Sequence, residues 1–75
     1  MEIEIDGSIY HYLRGSDVIR DGMYLEVSFD GGALIEVFYS DVTNKMSVTC
    51  FAEDIPLELL EATLAKSRVL LPPAK

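Results

Sequence analysis

Glu26 and Glu36 are the residues of this chain with the best claim on chemistry. The strand register derived below sets them directly opposite each other on one face of a sheet. Carboxylates so placed can share a proton, one pKa being raised, and work as acid and base; they can equally hold a cation or a partner's arginine. The ordinary outcome is two long side chains splaying into water. His11, the sole histidine, would need a carboxylate or nucleophile held beside it to act in catalysis, and no triad spacing accompanies it. Cys50 is also alone and falls at a core-facing strand position, where it reads as a small hydrophobe rather than a nucleophile. Asp30–Gly31–Gly32 reads as a hairpin loop with Gly32 in the left-handed position; no helix follows it, so it is not a phosphate loop. No residue is assigned a catalytic, cofactor-binding or metal-binding role, and with one His and one Cys neither a disulfide nor a metal centre is expected.

The elements that position these residues follow from counting. A loop of residues 30–32 pairs Phe29 with Ala33, Val27 with Ile35, Leu25 with Val37 and Met23 with Tyr39. A second loop, Asp41 to Asn44, pairs Ser40 with Lys45, Tyr39 with Met46, Val37 with Val48 and Ile35 with Cys50. Two independent turns thus put all these apolar side chains on one face, as alternation demands of a half-buried sheet. Upstream, Glu2–Ile3–Glu4–Ile5–Asp6 alternates, and Asp6–Gly7 turns the chain into a second strand. If the loop includes Ser8, the isoleucines group with Ile9, His11 and Leu13. A two-residue loop groups them instead with Tyr10 and Tyr12. The apolar pattern prefers the first arrangement, and Asp–Gly turn chemistry the second. Residues 14–22 carry turn signals at Gly15–Ser16–Asp17 and Asp21–Gly22 around a short Val18–Ile19.

The carboxy-terminal segment predicts a helix over 56–71, with Pro56 at its first position and Pro72–Pro73 as its stop. Leu57, Leu60, Leu64 and Leu71 form its apolar stripe, flanked by Leu59, Thr63, Ser67 and Leu70. Glu58 and Glu61 near its start and Lys66 and Arg68 near its end suit the helix dipole. The whole chain is one α+β domain, residues 1–75. A four- or five-stranded antiparallel meander, strands about 2–6, 8–14, 22–30, 33–40 and 45–51, has one C-terminal helix packed on one face.

The other face carries Tyr24, Glu26, Leu34, Glu36, Phe38 and Phe51. Large apolar residues there, and like charges in direct opposition, are both out of order for a solvated surface. These six residues are the candidate partner surface, for another protein or for a second copy in a homodimer. Covering by the first hairpin, or simple scatter, are the competing readings.

Charge narrows the partner. The net charge is −7, and between Asp21 and Asn44 there are five carboxylates and no cation. Nucleic-acid backbones need clustered Lys and Arg, so they are excluded, and anionic membranes are disfavoured. A basic protein is the class the charge favours, although acidity also keeps small proteins in solution. Met1 to Gly7 lacks the basic start and apolar run of a signal peptide, nothing approaches a membrane span, and a lone Cys suits a reducing compartment. A cytoplasmic location is expected.

The runs Arg20–Asp21–Gly22–Met23–Tyr24–Leu25–Glu26, Glu36–Val37–Phe38–Tyr39–Ser40–Asp41, Ile55–Pro56–Leu57–Glu58 and Leu71–Pro72–Pro73 resemble those of a set of small bacterial proteins without an assigned activity. The resemblance spans roughly residues 18–73 and implies no function. In size, charge and architecture alone, the chain is also similar to immunity proteins of bacterial toxin systems. The expectation is a non-enzymatic interaction module, with immunity or antitoxin-like action as one version. The alternative is a small enzyme or ligand-binding domain using Glu26 and Glu36 in a cleft completed by dimerisation.

Overall fold

Period-two alternation makes five strands of the first fifty residues, and the turns between them set how the strands pair. The computed structural model describes residues 1–71. Strands β1 (Glu2–Ile5), β2 (Ser8–Asp17), β3 (Gly22–Phe29), β4 (Gly32–Ser40) and β5 (Lys45–Cys50) form one antiparallel sheet in the order β1-β2-β3-β4-β5. Helix α1 (Leu57–Leu70) crosses one face, against β3 and β4.

Asp–Gly chemistry decides the first hairpin. Asp6 and Gly7 both take positive φ, 51° and 84°, which makes a two-residue turn matched to the twist of the strands. Ile3 therefore lies opposite Tyr10 and Ile5 opposite Ser8. Tyr10 and Tyr12 join the core with Ile3 and Ile5, while Ile9 and Leu13 are left exposed on the far face.

The same chemistry corrects the next hairpin. Asp30 and Gly31, at φ 53° and 82°, close a two-residue turn, so Phe29 pairs with Gly32 and not with Ala33. Gly31, rather than Gly32, is the left-handed glycine. The register then shifts between Val27 and Ser28, with Leu34 as the extra residue. Beyond that bulge the pairs are those counted from the sequence: Val27 with Ile35, Leu25 with Val37 and Met23 with Tyr39. On β5, Cys50, Val48, Met46 and Lys45 lie opposite Ile35, Val37, Tyr39 and Ser40. Leu25, Val27, Ile35 and Val37 form the centre of the core.

The helix presents a different stripe from the expected one. Leu59, Thr63 and Ser67 on α1, with Leu71 just beyond it, are buried at intervals of four residues. Leu57 and Leu64 remain 63% and 39% exposed. Short side chains let the helix approach the sheet. Thr63 Oγ1 shares a hydrogen bond of 3.3 Å with the Tyr12 hydroxyl, and Ser67 Oγ donates to the Thr63 carbonyl at 2.7 Å. Lys66 Nζ lies 5.6 Å from the Tyr12 ring, so this flank of the helix faces β2 and the Leu57–Leu64 flank turns toward β5. Pro56 sits one position before the helix as its cap, its carbonyl accepting the Leu60 N–H at 3.1 Å. Arg14 donates to the Leu70 carbonyl at the other end. The expected stop at Pro72–Pro73 lies outside the described residues.

α1 packs against β3 and β4, and Cys50 on β5 is exposed. Its strand position faces the helix side as counted, but its exposure means it is not a core residue. Among the described residues no helix is long and apolar enough to cross a membrane.

Candidate functional site

The sheet face opposite the helix is built in rows. Gly15, Tyr24, Phe38 and Ser47 form one; Leu13, Glu26, Glu36 and Thr49 form the next; Glu2, His11, Ser28 and Ala33 lie beyond. Glu26 and Glu36 stand directly opposite each other, as the register requires.

What the sequence reading missed is the residue that lies over them. β2 runs on to Asp17, and the loop of residues 18–21 then folds Arg20 back across the face. Its guanidinium carbon lies 4.1 Å from the centroid of the Phe38 ring. Nη1 and Nη2 donate to the two Glu36 carboxylate oxygens at 3.1 and 2.9 Å, and Nε donates to Asp17 Oδ2 at 2.6 Å. This fork against a carboxylate, with the plane over a ring, is a geometry arginine alone supplies. Asp17 also accepts the backbone N–H groups of Ile19 and Arg20 through Oδ1. Those bonds, the Arg20 side chain first, hold the Asp17 carboxyl below the usual aspartate range. Glu36 and then Asp17 raise the Arg20 pKa in turn.

The network redistributes the six candidate residues. Glu36 has both oxygens committed to Arg20 and its side chain is only 15% exposed. Glu26 enters no ion pair among the described residues. Phe38 is 9% exposed: it is covered by its own chain, though by the β2–β3 loop rather than the first hairpin. Leu34, at the bulge, packs against the core cluster and leaves the outer face. Tyr24 is half-buried, its hydroxyl end lying over Gly15. Phe51 alone of the apolar residues keeps a large exposed surface. Among the described residues His11 pairs only with the exposed Glu2, at 3.3 Å.

Two sequence signals pointed to this arrangement. Gly15 and Gly22 interrupt strands at positions beside Tyr24 and Phe38, and strand glycines often mark where another group comes close. Asp17 followed three residues later by Arg20 spans a turn in which the carboxylate caps the loop and the arginine returns to it. The loop also holds out Val18 and Ile19, which are 88% and 92% exposed. Comparison with family models, with curated proteins and with solved structures finds no match for this chain.

Proposed function

We propose that this chain is a non-enzymatic protein–protein interaction module that works through its outer sheet face and the β2–β3 loop. Val18 and Ile19 carry the reading. Neighbouring β-branched side chains stand almost wholly in water, on a loop fastened by Asp17 to its own N–H groups and by Arg20 to Glu36 and Phe38. Exposing them offsets nothing in the isolated chain, while their fixed placement lowers the entropy lost when a partner covers them. Leu13 and Glu26 extend the same surface.

The partner that fits is a protein with an apolar recess and a basic border. The net charge of −7 would speed its encounter and orient it. Masking of a basic toxin active site, in the manner of a bacterial immunity protein acting in the cytoplasm, is one form of this.

The test is a photo-crosslinking amino acid placed at position 19, with position 61 on the solvent side of α1 as control, in living cells. A discrete adduct from position 19 alone, lost at high salt and in a Val18→Ser/Ile19→Ser/Glu26→Lys variant of unchanged melting temperature, supports the reading. Equal adducts from both positions, or an adduct indifferent to the three substitutions, would overturn it.

A further inference from the structure

The sheet has two edges, and they are built differently. β1 is four residues long and alternates Glu2 and Glu4 with its isoleucines, so a strand added there would meet a row of carboxylates. β5 is six residues long and carries no acid; indeed no carboxylate occurs between Asp41 and Glu53 in a chain of charge −7. Charged residues, short strands and bulges are how proteins keep edges from pairing, and of these β5 has only Lys45, its first residue.

Its free backbone groups can be named. Phe51 N–H donates to the Leu34 carbonyl on β4 at 2.8 Å. Backbone groups alternate along a strand, so those of Lys45, Ser47 and Thr49 also turn to β4, and those of Met46, Val48 and Cys50 turn outward. Around this open row lie Val48, 46% exposed, and Phe51, 55% exposed.

We infer that a second copy of this chain pairs here, β5 against β5 in antiparallel fashion, to form a continuous ten-stranded sheet about a two-fold axis. The charges select the register. Centring the axis on Thr49 brings Lys45 toward Glu53, three residues past the end of β5 in the other copy, twice, and sets Val48 opposite Cys50 on the helix side. Phe51 then meets Ser47 of the second copy on the outer side. Each outward N–H and C=O of Val48 and Cys50 gains a partner, and an acid-free surface meets its like without the repulsion that −7 imposes elsewhere. Pairing through one six-residue strand makes a small interface, of the weak class for which a micromolar dissociation constant is expected. The outer-face loop, on the β2 side, stays free in both copies, so the inference does not depend on the proposed function.

Sedimentation equilibrium of the whole chain from about 5 to 500 µM, a span bracketing that affinity, should show a monomer–dimer equilibrium. Val48→Lys, at an exposed position, should weaken dimerisation by about tenfold or more while leaving the melting temperature of the dilute protein unchanged. In the Cys50→Ser background, Thr49→Cys should form an interchain disulfide on mild oxidation and Ser47→Cys should not. Amide exchange at Val48 and Cys50 should slow with rising protein concentration. A monomer throughout that range would overturn the inference. So would a dimer in which Val48→Lys is neutral and the Val48 and Cys50 amides exchange as freely as in the monomer, since such a dimer uses another surface.

Discussion

The guanidinium carbon of Arg20 lies 4.1 Å from the centroid of the Phe38 ring, while its nitrogens grip both oxygens of Glu36. One side chain thereby covers Phe38 and answers the like-charge opposition of Glu26 and Glu36. The two glutamates are equivalent in register and unequal in role.

Substitution separates those roles. Glu26→Gln removes a carboxylate that has no ion-pair partner among the described residues and lessens repulsion, so it should raise stability slightly, by less than ~1 kcal/mol. Glu36→Gln removes the anchor of Arg20 and should lower the melting temperature by a few degrees. Arg20→Gln should lower it at least as much, because Phe38 loses its cover as well. In the Arg20→Gln background, Glu36→Gln should turn neutral or stabilising. A double-mutant cycle read by urea denaturation measures the coupling, and additive effects would mean the contact contributes nothing.

Asp17 links this network to pH. Its carboxyl is held below the ordinary aspartate value, first by the Arg20 side chain and next by the Arg20 N–H. The unfolded chain therefore binds this proton more readily than the folded one. The stabilisation is complete above the unfolded value, ~3.9, and is lost as pH falls through the lower folded value. Asp17→Asn keeps an oxygen for the loop N–H groups and gives up the charge. Its urea midpoint should lie below that of the wild type at pH 7, and the difference should close between pH 4 and the acid limit. Parallel midpoint curves would show that Asp17 does not titrate with folding.

The helix interface gives a sharper contrast. Leu59 is fully buried and Leu57 is mostly exposed. Leu59→Ala should cost roughly 2–5 kcal/mol, and Leu57→Ala within about 0.5. The stripe read from the sequence places Leu57 inside, so the pair tests which face of α1 is buried. Val37→Asp, at the centre of the sheet, should abolish folding, because an unpaired buried charge costs several kcal/mol in a domain with little to spare. Circular dichroism and chemical denaturation of the three variants decide the matter.

Where two principles agreed, the fold was legible in the residues. From Leu25–Val37 to Ile35–Cys50 the pairs are those that alternation demands, the bulge at Leu34 offsetting a β3–β4 loop one residue shorter than counted. Where they competed, turn chemistry prevailed: Asp6–Gly7 placed Tyr10 and Tyr12 inside against the apolar pattern, and Asp30–Gly31 forced the bulge at Leu34. The helix face was misjudged because hydrophobicity ranks leucine above Thr63 and Ser67, whereas close approach to the sheet favours short side chains that bond to Tyr12 and to the helix itself. The outer face was legible only as a list of strand positions. Its cover comes from a loop residue, Arg20, and loops carry no period from which a returning side chain can be read.

The glycines that frame this face provide the last test, and they should behave oppositely. A Cβ on Gly15 would meet the Tyr24 hydroxyl oxygen at 2.6 Å, and that is the far end of a side chain able to swing aside. A Cβ on Gly22 would collide with the Tyr39 carbonyl oxygen and would lie 2.6 Å from Phe38 Cζ. The carbonyl belongs to the sheet backbone and can move only if β3 and β4 separate at the Met23–Tyr39 pair. Gly15→Ala should therefore keep the fold, with a shift confined to Tyr24 in the NMR spectrum. Gly22→Ala should be strongly destabilising, and trimming the ring in Gly22→Ala/Phe38→Leu should not restore it, because the obstructing atom is backbone. Rescue by that second substitution would show that ring packing, and not strand spacing, requires glycine at position 22.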